Sequence, residues 1–346
     1  MLISRAGLLR GALAGGAMGA AALPGFVGAS TPSNAFWTDV ADSGAKPWTR
    51  PLPPGASPLR FAVIGDNTGV AKPGVFDQAM RQISWLQPDF ILSVGDLIEG
   101  YTDDRAEIAR QWTAIEASIA KAGVPFVFTP GNHDVDNAET LDAWRERRGP
   151  GYYSFLYKGA LFVILNTEDT PTPMSAKAAA DFYDKVRRMQ ADPEQAERDT
   201  EAQLAASAAA PHSAYGALEV VNLGDRQLGF VRDTLARHPN PRWTFVVIHK
   251  PAWKMHSDSF AKIQTMLLGR PHTVFAGHTH YFTHEVLDGH DYINMGSTGG
   301  VRHRDGAGTM DHALLVTLTS AGPVYANTRL NGLMDIAGET GQVRAY

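Results

Sequence analysis

The chain has 346 residues with 31 basic and 36 acidic side chains, a formal charge of −5. Its 44% hydrophobic and 19% charged content is that of an ordinary globular protein, too apolar for disorder, and its acidic balance argues against broad, non-specific nucleic-acid binding. The absence of cysteine excludes disulfides, thiolate metal ligands, iron–sulfur clusters, a cysteine nucleophile and lipoprotein acylation, leaving twelve histidines as imidazole donors for any metal chemistry.

Residues 1–29 carry no acid and two bases, Arg5 and Arg10. From Gly11 to Leu23 run 13 residues of Ala, Gly, Leu and Met, ending at Pro24. A short basic start, a brief apolar run and small residues before Ser30 describe a secretory signal peptide, with Val27 and Ala29 suiting the cleavage rule. The stretch Ser4-Arg5-Ala6-Gly7-Leu8-Leu9 resembles a twin-arginine signal without its second Arg, so both Sec and degenerate twin-arginine export stay open. An uncleaved anchor is the other reading, but the apolar run is too short to span a bilayer comfortably. The expectation is a periplasmic or secreted protein without stable membrane insertion after cleavage. The mature chain would carry 29 basic and 36 acidic residues, a net −7.

Residues 30–58 are rich in Pro, Ser, Thr and Gly and read as an irregular N-terminal arm. From Leu59 a single domain, 59–346, is expected. Apolar runs at Leu59–Ile64, Asp89–Val94, Val124–Thr129, Ala160–Asn166, Trp243–Ile248 and His272–Ala276 read as buried strands. Between them Val75–Leu86 and Ala106–Ala122 repeat apolar residues at helical spacing, so buried sheets covered by helices are expected. An Ala- and charge-rich insert, about 171–215, reads as two helices, Met174–Gln190 and Glu194–Ala210, broken at Asp192-Pro193. Phe182, Val186 and Met189 share one face of the first, which reads as docking onto the core, with a lid over the site as the alternative. After Gly277 strands alone follow, at Tyr281–Leu287, Asp291–Met295, Ala313–Thr319 and Val324–Arg329.

Five polar clusters stand just after five of these strands: Gly65-Asp66-Asn67-Thr68-Gly69, Gly95-Asp96-Leu97-Ile98-Glu99, Gly131-Asn132-His133-Asp134, Val247-Ile248-His249-Lys250-Pro251 and Gly277-His278-Thr279-His280. Ligands of open α/β sheets bind outside the carboxyl ends of strands, so five clusters there can converge on one site. Asp, Asn and His side chains are donors suited to divalent transition metals. Each cluster alone is an ordinary turn; their order, strand placement and the pairing of GNHD with GHTH carry the inference.

This series, D…GD…GNHD…H…GHTH, resembles the calcineurin-like metallophosphoesterase superfamily over roughly Leu59 to Leu330. The resemblance implies a four-layer α/β/β/α sandwich with two packed mixed β-sheets, the strands at 281–329 completing the second sheet. It also implies a helix starting near Gly224-Asp225. For function it implies a phosphoric ester hydrolase with two divalent ions, Mn, Fe or Zn. Asp96 would bridge the ions, Asp66 and His280 would complete one site, and Asn132, His249 and His278 the other. A metal-bridging hydroxide would attack phosphorus in line, and His133 would protonate the leaving oxygen, oriented by Glu99.

One departure concerns the first motif, commonly D-x-H, where this chain has Thr68 in place of the imidazole. Either Asn67, Thr68 or a water fills that position, or the first metal binds weakly. A non-catalytic metal- or phosphate-binding protein with the same fold is the alternative that Thr68 supports. The Tyr that purple acid phosphatases carry three residues after the bridging Asp is Glu99 here, so their charge-transfer chemistry is not expected. Trp253 and His256, close in sequence to His249, and Arg302, able to hold a phosphate oxygen, are further pocket candidates. The substrate expected is a phosphate ester and not nucleic acid; composition says nothing of oligomeric state.

Overall fold

A computed structural model describes residues 36–55, 57–207 and 220–335. The expected signal peptide, the start of the arm and the end of the insert's second helix lie outside the described residues.

The chain runs β1 (Trp37–Thr38), β2 (Leu59–Ile64), α1 (Val75–Leu86), β3 (Phe90–Ser93), α2 (Arg105–Ala120), β4 (Phe126–Val127), α3 (Ala138–Arg148), β5 (Tyr153–Tyr157) and β6 (Ala160–Ile164). It continues with α4 (Ala176–Ala191), α5 (Pro193–Ser207), α6 (Asp225–Arg237), β7 (Trp243–Val247), α7 (Asp258–Leu267), β8 (His272–Ala276), β9 (Thr283–Leu287), β10 (His290–Asn294), β11 (His312–Thr319) and β12 (Gly322–Arg329).

Strand periodicity builds the layers, because successive side chains leave opposite faces. In β2, Leu59, Phe61 and Val63 point into a core between two sheets, while Ala62 and Ile64 point outward to α1, α2 and α3. In β6, Ala160, Phe162 and Ile164 enter the same inter-sheet core, and Leu161 and Val163 meet α6 and α7. Phe155 and Phe162 stack there with ring centres 4.6 Å apart. The sheets are ordered β12-β11-β2-β3-β4 and β1-β5-β6-β7-β8-β10-β9. The fold is therefore the four-layer α/β/β/α sandwich expected.

The late strands divide between the two sheets, which corrects the expectation that all of them complete the second. β9 and β10 extend the seven-stranded sheet, but β11 lies antiparallel to β2, with Leu318 opposite Leu59, and carries β12 with it. Leu314, Val316 and Leu318 alternate as Phe61 and Val63 do, so β11 fills the inter-sheet core only from the β2 side. Two strands went unread. β1 is two residues long, and β5 joins β6 through Lys158-Gly159, both with positive φ, a hairpin turn without the usual Asn-Gly signal.

β2, β3 and β4 are mutually parallel, and so are β6, β7, β8 and β10. Their carboxyl ends emerge along one edge, where all five polar clusters sit. Among the described residues no helix is long and apolar enough to cross a membrane.

Candidate active site

Close packing of the strand-end turns explains their glycines. A Cβ on Gly131 would collide with the Asp96 carboxylate, and one on Gly277 would stand 2.6 Å from Asp66 Oδ2. Asp96, His278 and His280 themselves hold left-handed φ values of 55°, 71° and 47°, a strain tolerated where the surroundings over-determine the backbone. Asp134 supplies part of that determination. Its carboxylate accepts from the backbone N–H groups of Asp96 (2.8 Å), Leu97 (2.9 Å), Ile98 (3.2 Å) and Gly131 (3.0 Å), welding the second cluster to the third. Burial, with the neighbouring Asp96 charge, pushes Asp134 up to about 6.

Four of the expected metal-site side chains meet at one buried point. The His249 Nδ1–H donates to the Val94 carbonyl at 2.9 Å, so Nε2 faces Asp96 Oδ2 (3.1 Å), Asn132 Oδ1 (2.9 Å) and His278 Nδ1 (3.2 Å). Asn132 is turned that way because its Nδ2 donates to the Tyr101 hydroxyl at 2.7 Å. Asp96 Oδ2 and Asn132 Oδ1 turn acceptor lone pairs toward His249 Nε2, an arrangement that positive charge there, a proton on the ring or a metal ion, resolves. Burial pushes His249 down, but the Asp96 and Asp66 charges overcome it and raise the ring to about 9. Burial likewise opposes ionisation of Asp96, yet His249 and His133 hold it well below the usual carboxylate range. The pocket draws in positive charge.

A second group adjoins it. Both Asp66 oxygens accept the His278 backbone N–H (2.9 and 3.1 Å), and Oδ1 lies 3.9 Å from His280 Nε2. The His280 Nδ1–H donates to the Val301 carbonyl, which turns Nε2 toward the carboxylate. Burial raises Asp66 to about 7 and pushes His278 and His280 well below the usual imidazole range, so both rings are neutral. Asp96, His249 and His278 bring their donor atoms within 4.8 Å of one another, with Asn132 Oδ1 beside them, a set that fits a divalent ion, and the Asp66–His280 pair adjoins it.

His133 stands at the edge, Nε2 3.8 Å from Asp96 Oδ2, and its Nδ1–H donates to the Glu99 backbone carbonyl at 2.8 Å. The expected orienting carboxylate is elsewhere. Glu99 Oε2 and Oε1 accept from the Val70 and Ala71 N–H groups at 3.1 and 2.7 Å, because the left-handed Gly69-Val70 turn leaves those donors facing it. The insert covers the same edge. Phe182 of α4 packs 5.4 Å from the His133 ring and 5.5 Å from Tyr101, and the Tyr183 hydroxyl donates to the Gly100 carbonyl at 2.7 Å. The face that carries Phe182 and Met189 docks on the body, as expected of it, and it does so at the rim of the site.

The remaining candidates lie apart from the donor atoms. Asn67 Nδ2 donates to the Leu97 carbonyl at 2.8 Å, so its amide is structural. Thr68 is fully buried and its hydroxyl has no hydrogen-bond partner among the described residues. Trp253 packs on Tyr292, 5.3 Å between rings, and belongs to the helix layer over β8. His256 is exposed, with no polar partner among the described residues. Arg302 pairs with Glu201 of α5 at 3.0 Å and Asp305 at 3.4 Å, a link to the insert instead of a free phosphate clamp. Sequence reasoning gave no role to Asp134 or Tyr101. The aspartate stands in plain view in the GNHD cluster; nothing in the sequence announces that Tyr101 would reach Asn132.

Residues 59–282 match the family model described as calcineurin-like phosphoesterase. Curated relatives named serine/threonine-protein phosphatase CPPED1 are 33% identical over 116 residues in Pongo abelii and 32% identical over 120 residues in Homo sapiens. Each match takes in 32% of this chain and 37% of the relative, so the chain spans little more than a third of those proteins' length. Among solved structures, a dimetal phosphatase from Danio rerio superposes with a TM-score of 0.50 at 14% identity, over 79% of this chain and 99% of that one. Purple acid phosphatase PPD1 from yellow lupin, Lupinus luteus, gives a TM-score of 0.50 at 13% identity, over 84% of this chain and 57% of that one. At such identities the likeness to these two is one of fold. The family model spans well over half the chain and all the clusters that meet at the site up to His280, and the chain belongs to the calcineurin-like phosphoesterase family.

Proposed function

We propose that this protein is an exported hydrolase of phosphoric esters that works with two divalent metal ions. The observation that carries the reading is the meeting of the Asp96, Asn132, His249 and His278 donor atoms at one buried point, with Asp66 and His280 beside it. Bound there, two ions such as Mn, Fe or Zn supply Lewis acidity and an activated water, a chemistry that needs no Ser or Cys nucleophile. Asp96 stands in the first group and its charge acts on Asp66 in the second, so it is the residue suited to serve both. His133 keeps Nδ1–H on the Glu99 carbonyl, so Nε2 is the atom that delivers a proton to the leaving oxygen. Tyr101 and Phe182 pack on its ring and keep water from that flank. Export rests on the signal-like segment 1–29.

The test is metal analysis of the mature chain combined with a panel of aryl mono- and diesters. A phosphoserine peptide is included because the curated relatives bear a serine/threonine phosphatase name. Two ions per chain with turnover of one ester class is the expected result. One ion or none, without hydrolysis of any ester, would establish instead the non-catalytic binding protein that Thr68 suggests.

A further inference from the structure

The Tyr101 side chain reaches the site without belonging to the expected metal ligands, and its hydroxyl has one hydrogen bond left to make there. We propose that this hydroxyl donates to a phosphoryl oxygen of the bound ester, which makes Tyr101 a substrate-binding residue. The inference rests on the two-metal reading above.

Three observations support the assignment. The first is what the hydroxyl already does. Its oxygen accepts from Asn132 Nδ2 at 2.7 Å, and the Oδ1 of the same amide faces His249 Nε2 at 2.9 Å. A single side-chain amide therefore links the phenol to the donor cluster. A phenol, with an ordinary pKa of about 10, keeps its proton at neutral pH, and accepting one hydrogen bond leaves its own O–H free to donate. Among the described residues nothing accepts that proton. Tyr101 is only 5% exposed, and a buried donor without a partner is a costly group that a ligand oxygen would satisfy.

The second is the company of the ring. It stands edge-on to the His133 imidazole, with centres 4.5 Å apart. Tyr101 thus borders both the donor cluster, through Asn132, and the residue that delivers a proton to the leaving oxygen. An ester bound to that cluster within reach of His133 brings its charged phosphoryl oxygens to this place, and an O–H donor to a charged oxygen makes the stronger class of hydrogen bond. The neighbouring phenol of Tyr183 differs in this respect, because its O–H is already given to the Gly100 carbonyl at 2.7 Å.

The third is the strained backbone that places the side chain. Tyr101 holds a left-handed φ of 50°, which a residue with a Cβ adopts at a cost. The surroundings enforce it. Its N–H donates to Asp136 Oδ1 at 3.0 Å, and the preceding N–H, of Gly100, donates to Gln111 Oε1 at 3.0 Å. Gly100 itself lies so near the His133 carbonyl that a Cβ there would collide with it. The turn is locked onto the loop that carries Asn132 and His133, and backbone strain of this kind gathers where a side chain is held for a ligand.

The decisive comparison sets Tyr101→Phe beside wild type and Tyr183→Phe. Mn²⁺ content is measured by elemental analysis, and binding of inorganic phosphate by calorimetry on the metal-loaded mature protein. Wild type is expected to hold two ions and to bind phosphate. Tyr101→Phe keeps the ring that packs on His133 and Phe182, so it should hold the same two ions while binding phosphate about 10- to 100-fold more weakly. Tyr183→Phe loosens the insert and should leave phosphate affinity near that of wild type. A second measurement retains the hydroxyl: 3-fluorotyrosine placed at position 101 should shift its ¹⁹F resonance when phosphate is added to the metal-loaded protein. Unchanged phosphate affinity in Tyr101→Phe, or an unmoved resonance, overturns the proposal. A phosphate loss that only tracks a loss of metal overturns it too, because the hydroxyl would then serve only to orient Asn132. An equal loss in Tyr183→Phe does the same, by tracing the effect to the seating of α4. All three leave the two-metal reading intact; one ion or none in wild type overturns both.

Discussion

The imidazole of His133 is oriented by the backbone carbonyl of Glu99, 2.8 Å from Nδ1, while the Glu99 carboxylate holds the Val70 and Ala71 N–H groups. A backbone carbonyl fixes the tautomer without depending on any side chain. Glu99→Ala should therefore leave the acid limb of the pH–rate profile where it is. Its cost should fall on the strained turn instead, about 1–3 kcal/mol of stability from two partly buried backbone donors losing their acceptor. His133→Asn should do the reverse, keeping metal and stability while lowering turnover roughly 10²–10⁴-fold, most for poor leaving groups. Denaturant melts beside pH–rate profiles separate the two. A Glu99→Ala protein of unchanged stability with a displaced acid limb would return the orienting role to the carboxylate.

How much of this was legible beforehand divides along a physical line. The donor residues could be read because each stands just after a strand-forming apolar run, and all but His249 in a cluster opened by a glycine, both local signals. The sheets could be read because Phe61 and Val63 alternate with Ala62 and Ile64. What stayed hidden depends on distance in space. Tyr101 reaches Asn132 across 31 positions, and Phe182 reaches His133 across a gap closed only by the fold. Glu99 shows the hazard of spacing alone: the position was right, but the backbone and not the side chain does the work.

Lys250 is fully buried, with Nζ 2.8 Å from Glu168 Oε1 and 2.9 Å from the Val220 carbonyl. Glu168 bridges to Asn222, so this ion pair fastens the two points where the insert leaves and rejoins the body. Lys250→Met would strand the Glu168 charge in the interior and should cost about 3–5 kcal/mol. Lys250→Met/Glu168→Met removes both charges and should recover a good part of that loss. Urea unfolding of the two singles and the double gives the coupling energy directly. Additive losses would mean that the pair contributes nothing as a pair.

His312 offers a pH dependence outside the donor cluster. Its Nε2 accepts the Gly296 N–H at 2.8 Å and its Nδ1–H donates to Asn327 Oδ1 at 2.7 Å. Burial pushes the ring from its ordinary 6.5 down to about 4. The unfolded chain therefore takes up a proton below about pH 6.5 that the folded chain refuses until about pH 4. Stability from this residue is fully present above pH 6.5 and is lost as pH falls toward 4. The gap corresponds to about 3 kcal/mol. His312→Gln should be less stable than wild type at pH 7.5, with the difference shrinking by about that amount on acidification to pH 4. Unfolding free energies measured in parallel across this range check the sign; a difference independent of pH would show that the fold leaves the His312 ring at its ordinary pKa.

The covering helix α4 makes a prediction about selectivity. Phe182 is its contact with His133, Tyr183 ties it to Gly100, and Glu201 of α5 ties the insert to Arg302. An aromatic contact of this kind contributes about 0.5–1.5 kcal/mol beyond its buried area, enough to shift the closed fraction of a lid roughly 2- to 12-fold. Phe182→Ala should loosen α4 while leaving the donor cluster untouched. Amide exchange of residues 176–191 should quicken, and metal content should stay at the wild-type level. A bulky phosphate ester should gain in kcat/KM relative to a small aryl phosphate, because access widens as the small substrate loses its enclosure. An unchanged ratio of bulky to small substrates, with faster exchange in α4, would mean that the helix packs beside the site without governing entry to it.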